Sequence, residues 1–329
     1  MPDFKPEPHP APAAQDLDAH SRALLARVAD MAAGIPAHEL TPDRRRQLSR
    51  ESGRVFVSED DHDPSVERED LRMELPGRTL AARLYRPRGP REGVAGDVLA
   101  VFVHGGGWVI GDLNSNDVPC TFLAQRLGCV LLSVDYRKAP EYTFPIPCDD
   151  AAEAYTWAAA RMASWNCRRI AVMGASAGGH LAAHAMFANP QVPTAAALLF
   201  YPVADIDFDN ASYVARGAGP GLTAANMRWF WQQFLGEARA HDDVRAVPMR
   251  QQWRSLPPPT VLSLAAHDPL HDEGVAYGRL LHESGADVRL LDAPDMAHGF
   301  LRQCRVNHSA RRHVEAAADA LRQCLAVRG

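Results

Sequence analysis

Ser176 lies in the run Gly174-Ala175-Ser176-Ala177-Gly178, which fits G-x-S-x-G. A serine hydroxyl becomes a nucleophile only when a base takes its proton. The flanking glycines leave room for a tight, strained turn around it. With glycine at about 7% of residues, such a match arises by chance in about one chain in ten of this length, so context must carry the weight. An apolar run, Ile170–Met173, precedes the motif and a helical pattern over 177–188 follows it, the strand–turn–helix setting that a nucleophilic serine needs. The helix start turns backbone N–H groups toward the hydroxyl, where negative charge develops when a carbonyl is attacked. The competing reading is a glycine-rich helix start that binds an anion or only packs tightly.

A nucleophilic serine needs a base, and the base needs an orienting acid. His298-Gly299 follows the apolar run Val288–Leu291, in the loop before the last helical pattern. Asp268 closes the run Val261–Ala265 and precedes Pro269, which keeps it extended. Asp272 is the rival acid, but its place at the start of the next helix suits an N-cap. His267, His271 and His282 read as surface or packing residues. A third element is His104-Gly105-Gly106-Gly107-Trp108, directly after the run Leu99–Val103. Its glycines let the backbone bend with N–H groups outward, so that, with the N–H of Ala177, they could hold an oxyanion. The alternative, a phosphate loop, fits poorly because the spacing is neither GxGxxG nor GxxxxGK[ST]. His104 reads as an anchor for the loop rather than a base.

These residues must be positioned by strands. From Val98 onward, short apolar runs alternate with helical patterns near 118–127, 149–163, 177–188, 271–284 and 308–326. Besides the four runs named above, they include Val130–Val134 and Ala196–Phe200. Runs that are apolar throughout suit a parallel sheet covered on both faces, and the alternation argues for α/β with right-handed crossovers. Ser176, Asp268, His298 and the glycine loop all fall at C-terminal ends of expected strands, where open α/β sheets place their sites. Upstream, residues 1–14 are Pro- and Ala-rich and read as disordered. A helix is expected over Leu17–Met31, stopped by Gly34 and Pro36. A second opens at Thr41-Pro42-Asp43 and runs through Leu48. Val66–Leu75 and Thr79–Tyr85 read as strands around Pro76-Gly77. The stretch 205–250 breaks the rhythm, with Asp205, Asp207 and Asp209 and then the aromatics Trp229, Phe230, Trp231 and Phe234.

Composition closes off other classes. The 329 residues are 47% hydrophobic and 23% charged, with a net charge of −5. This is globular usage and offers no general attraction to nucleic acid or an anionic membrane. The longest mostly apolar run, Ala195 to Ala204, is half of what a membrane span needs, about 20 residues. Six cysteines contain no CxxC pair, so zinc is not expected and buried reduced thiols are. The N-terminal stretch lacks the apolar core of a secretory signal, which points to the cytoplasm.

With HGGGW at 104–108, DYRKAPEYTFP at 135–145, GASAGG at 174–179, DPLHDEG at 268–274 and HGF at 298–300, the sequence resembles the bacterial members of the hormone-sensitive-lipase-like family of α/β-hydrolase esterases. The resemblance spans nearly all of 98–300. It implies an α/β-hydrolase fold: a mostly parallel central sheet flanked by helices, with a helical cap. The implied plan is an N-terminal segment with cap helices over 1–60, core over 61–204, a cap insertion over 205–250 and core again over 251–329. Ser176 is implied as nucleophile, His298 as base, Asp268 as acid, and Gly106, Gly107 and Ala177 as oxyanion donors, with Gly105 a weaker candidate. Trp108, Trp229, Phe230 and Phe234 are implied as substrate-binding, with plain cap-to-core packing as the alternative for the cap aromatics. Asp135, Arg137 and Glu141 would fix loops near the oxyanion turn. One departure is Ala175, where many relatives carry Asp or Thr.

The expected activity is hydrolysis of small carboxylic esters with short to medium acyl chains, through an acyl-enzyme, without metal or organic cofactor. Two rivals remain at this level: amide hydrolysis by the same triad, such as N-deacetylation, and a non-catalytic receptor using the pocket under the cap. A homodimer formed through the cap is compatible with catalysis.

Overall fold

The computed structural model describes residues 16–56, 63–89 and 93–326; the expectation for residues 1–14 lies outside them. Eight strands form one sheet: β1 (Val66–Leu75), β2 (Arg78–Pro87), β3 (Val98–Val103), β4 (Val130–Asp135), β5 (Arg169–Ala175), β6 (Thr194–Phe200), β7 (Thr260–His267) and β8 (Val288–Ala297). Their order is β1-β2-β4-β3-β5-β6-β7-β8. β1 pairs antiparallel with β2, and β2 with β4. All other pairings are parallel.

The continuous apolar runs follow from covering the sheet on both faces. Along β3, Leu99, Val101 and Val103 enter one core cluster, while Val98, Ala100 and Phe102 enter another. The strand period of two sends successive side chains to opposite faces, so every position must be apolar. On the first face lie α4 (Ile146–Arg161), α5 (Ala177–Ala188) and α8 (His271–Glu283). On the second lie α3 (Asp117–Leu127) and α9 (His308–Ala326). All six cysteines are buried and unbridged.

Four more helices lie outside this frame: α1 (Ala19–Ala32), α2 (Pro42–Phe56), α6 (Ala211–Arg216) and α7 (Ala224–Leu235). Asp18 caps α1 by accepting from the Ser21 N–H at 2.7 Å. Thr41 Oγ1 accepts from the Arg44 N–H at 3.3 Å at the start of α2. The expected end of the second helix at Leu48 is too early, since α2 continues to Phe56. Its last turns are polar and bury only Ser52 and Phe56, so the apolar period that would reveal them is missing. No helix of the described residues is long and apolar enough to cross a membrane.

Candidate active site

The chain turns sharply where β5 ends. Ser176 has φ +56° and ψ −125°, a region that costs a non-glycine residue strain and persists only when its surroundings hold it. Here the Ser176 N–H donates to the Phe200 carbonyl (2.9 Å), and the Ser176 carbonyl accepts from His180 (3.1 Å) and Val203 (3.2 Å). The two motif glycines are demanded by close approach. A Cβ on Gly174 would sit 2.2 Å from the Gly178 oxygen, and one on Gly178 would sit 2.1 Å from the Val103 oxygen. The turn therefore wedges the start of α5 against the ends of β3 and β5.

Asp268, directly after β7, and His298, directly after β8, meet Ser176 from neighbouring strand ends. Ser176 Oγ is 2.9 Å from His298 Nε2, and His298 Nδ1 is 2.6 Å from Asp268 Oδ2. Asp268 is fully buried, and its other oxygen accepts from the Leu270 N–H at 2.9 Å. A buried carboxylate fixed in this way holds the proton on Nδ1. That leaves Nε2 as the acceptor for the serine hydroxyl. Asp272 takes no part in this chain. It accepts from the Ser212 N–H at 2.9 Å and contacts His271 at 3.1 Å. It therefore braces α6 and does not cap its own helix, because the residue before that helix is Leu270.

The glycine loop closes over the same point. Gly106 (φ +127°) and Gly107 (φ +55°) form a tight turn whose Gly106 carbonyl accepts from Val109 (3.0 Å) and Ile110 (2.9 Å). Among the described residues, the N–H groups of Gly106, Gly107 and Ala177 are donated to no protein acceptor. His104 is buried beneath the loop and its Nδ1–H donates to the Gly105 carbonyl at 2.8 Å. Its ring stacks on Tyr136 at 4.5 Å and its Nε2 faces Asp135 at 3.4 Å. Burial opposes the charge on Asp135, but His104 and Lys138 outweigh it and hold the carboxyl at about 2. Arg137 grips the buried Asp150 (2.8 Å), and Glu141 pairs with Arg46 of α2 (2.5 Å).

A cavity of about 170 Å³ opens on these groups. Ser176, His298, Gly106 and Gly107 line it, as does Phe230 from α7. A Cβ on Gly107 would meet the Phe230 ring at 2.2 Å, so the ring lies directly on the loop. Trp108, Trp229 and Phe234 are not among the lining residues. Trp108 is fully buried, stacks on Phe234 at 4.3 Å, and donates its indole N–H to His180 Nδ1 at 3.1 Å. Trp229 meets the Arg45 guanidinium at 4.2 Å. Sequence reasoning missed Tyr201, Met227, Leu222 and Arg302 as lining residues. Tyr201 had a usable signal, since it follows a parallel strand at the same edge as the other site residues. Its ring lies 4.7 Å from that of His298.

A nucleophile elbow, a facing glycine loop and an eight-stranded sheet of this order define the class of α/β-hydrolases. Residues 100–302 match the family model for the alpha/beta hydrolase fold, and the chain belongs to that family, in its hormone-sensitive-lipase-like branch. It is similar to the ethyl acetate hydrolase of Pseudomonas putida, with 34% identity over 88% of this chain and 93% of that one. It is also 30% identical to the carboxylesterase NlhH of Mycobacterium tuberculosis, over 80% of this chain and 82% of the relative. Among solved structures, it resembles the hyperthermophilic esterase of Pyrobaculum calidifontis with a TM-score of 0.85 at 29% identity, covering 93% of this chain and 98% of that one.

Proposed function

We propose that this carboxylic ester hydrolase cleaves esters with short acyl chains through an acyl-enzyme on Ser176. The observation that carries the reading is the Asp268–His298–Ser176 chain of hydrogen bonds opening on a cavity of about 170 Å³. That volume is close to the roughly 150 Å³ void that holds one benzene and below the roughly 300 Å³ where drug-sized pockets begin. It suits an acyl group of a few carbons. The cap in this reading is the N-terminal segment together with 205–250, resting on the core over 61–204 and 251–329.

In the first half-reaction, His298 Nε2 takes the Ser176 proton as Oγ bonds to the ester carbon. The carbonyl oxygen becomes an oxyanion facing the N–H groups of Gly106, Gly107 and Ala177, each donor supplying about 3–4 kcal/mol to the transition state. Asp268 stabilises the imidazolium. The C–O bond to the alcohol breaks as His298 returns its proton to the leaving oxygen. Water then attacks the acyl-enzyme with the same histidine as base, and the acid departs.

The test is release of p-nitrophenol from esters of two to sixteen acyl carbons by wild type and Ser176→Ala. The expected result is a maximum at short chains, with the substitution lowering kcat by at least 10⁴-fold, in line with loss of a triad nucleophile. A maximum at long chains, or full activity in the variant, would refute it.

A further inference from the structure

Arg302 is a cation at this site for which the proposed reaction has no use. It stands in the short turn Phe300–Gln303 after His298 and lines the cavity together with Ser176, Tyr201 and His298. Its guanidinium carbon lies 4.9 Å from the centroid of the Phe56 ring, at the end of α2. Gly53 of the same helix faces it, since a Cβ there would sit 3.5 Å from one guanidinium nitrogen.

An arginine brings five N–H donors and stays charged. Other arginines around this end of the molecule have carboxylate partners: Arg46 with Glu141 at 2.5 Å and Arg305 with Asp63 at 3.4 Å. Among the described residues, Arg302 makes no ion pair, and no side-chain N–H of it reaches a protein oxygen. Asp112 and Tyr201 act on it only at longer range, and Asp112 is engaged with the Ser115 N–H at 2.8 Å. Burial presses the Arg302 pKa below the ordinary guanidinium range, as expected of a charge short of solvent. Contact with Phe56 gives its N–H groups no oxygen.

Arg302 is half-buried, has no counter-ion among the described residues, and faces the substrate cavity. An anion brought by the substrate would complete it, and the planar fork of a guanidinium matches a carboxylate at two points. We propose that Arg302 is an anion-recognising subsite, and that the preferred substrates are small esters carrying a carboxylate on the acyl or the alcohol portion. The proposal rests on the esterase reading above. Arg302 is a specificity residue in it and has no part in the bond changes at Ser176.

The experiment compares four esters by pH-stat titration: methyl hydrogen succinate against methyl butyrate, and acetoxyacetate against ethyl acetate. The first pair places the charge on the acyl side and the second on the alcohol side. Wild type is expected to favour the charged member of one pair by about 10- to 100-fold in kcat/KM, mainly through KM, as fits a charge-assisted hydrogen bond. Arg302→Met is expected to lower that preference at least tenfold, and Arg302→Lys to restore part of it. Should the variants fail to fold, inhibition of wild type by succinate against succinamide gives the same information, with succinate expected to bind at least tenfold more tightly. Preference for the neutral ester in both pairs, or equal inhibition by succinate and succinamide, overturns the subsite and leaves the esterase reading standing. Inactivity on all four esters and on the p-nitrophenyl series overturns the esterase reading itself.

Discussion

Gly107→Ala tests the geometry of the glycine loop. An added Cβ would lie 2.2, 2.3 and 2.7 Å from Cδ1, Cγ and Cδ2 of Phe230. Carbon atoms pack at about 3.5–4.0 Å, so ring or loop must retreat by more than about 1 Å. Phe230 is itself buried, has Trp229 edge-on at 5.2 Å and lines the cavity, so a retreating ring would intrude on the cavity. The backbone at φ +55° adds strain of about 1–2 kcal/mol for an L residue, and overpacking adds about 1–3 kcal/mol. Gly34→Ala separates the two effects, because Gly34 has φ +78° and nothing within 4 Å of its added Cβ. Urea unfolding is expected to show a loss of about 1–2 kcal/mol for Gly34→Ala and about 2–5 kcal/mol for Gly107→Ala. A loop shift that misaligns the Gly107 N–H should also lower kcat on p-nitrophenyl butyrate by about 10²- to 10³-fold. Adding Phe230→Ala to Gly107→Ala should recover more than about 1 kcal/mol relative to the sum of the single variants. Equal destabilisation of the two glycine variants, or a kcat within about threefold of wild type, would refute the reasoning.

Two further perturbations probe what supports the site. His180 accepts from the Trp108 indole and donates from Nε2 to the carbonyls of Arg245 (3.0 Å) and Ala246 (2.9 Å), and burial pushes its pKa down to about 3. His180→Leu should therefore cost about 2–4 kcal/mol in urea unfolding at pH 7 through stranded buried partners, and a loss below about 0.5 kcal/mol would refute this bridging role. His271 is disfavoured as a cation by burial, but Asp272 and Asp292 outweigh that and raise its pKa to about 9. A raised histidine stabilises the fold while protonated, so its contribution is whole below about pH 6.5 and lost as pH rises through 9. Wild type should exceed His271→Gln in stability at pH 6, by at most about 3 kcal/mol, and the gap should close by pH 10. A gap that widens with pH would reverse the sign.

What was readable in the sequence was whatever short-range pattern enforces. The strands of the parallel part of the sheet announce themselves because both faces are covered, and the helices over 177–188 and 308–326 have the expected ends. Ser176, Asp268 and His298 could be picked out because strand ends at one edge of such a sheet converge, and the structure brings them within hydrogen-bond distance. What could not be read depends on which neighbour an element meets. The aromatic period over 229–234 foretells a helix, yet not that Phe230 faces the cavity while Phe234 turns to Trp108. Asp272 stands at a helix start, as an N-cap would, but braces Ser212, 60 residues away in sequence. Arg302 looks like any polar residue after a turn until Phe56 is seen beside it.

The glycine loop is held from three directions, and they differ in strength. Below it, His104 is locked by Tyr136 and Asp135 within the sheet core. Behind it, Trp108 is clamped between His180 and Phe234 in the main hydrophobic cluster. From the N-terminal helices, Arg46 reaches the Val109 carbonyl at 2.9 Å and the Ala139 carbonyl at 2.8 Å. Among the described residues, the cluster beneath this third hold is small: Leu17, Leu24, Leu25, Phe56 and Ala297, with Val28, Val55 and Val306 packed against it. Segments with few buried apolar contacts open at the lowest free energy. Lifting α2 would free Val109 from Arg46 and take Phe56 away from Arg302 in one movement. The glycine loop and the cation that lines the cavity therefore share a support in α2.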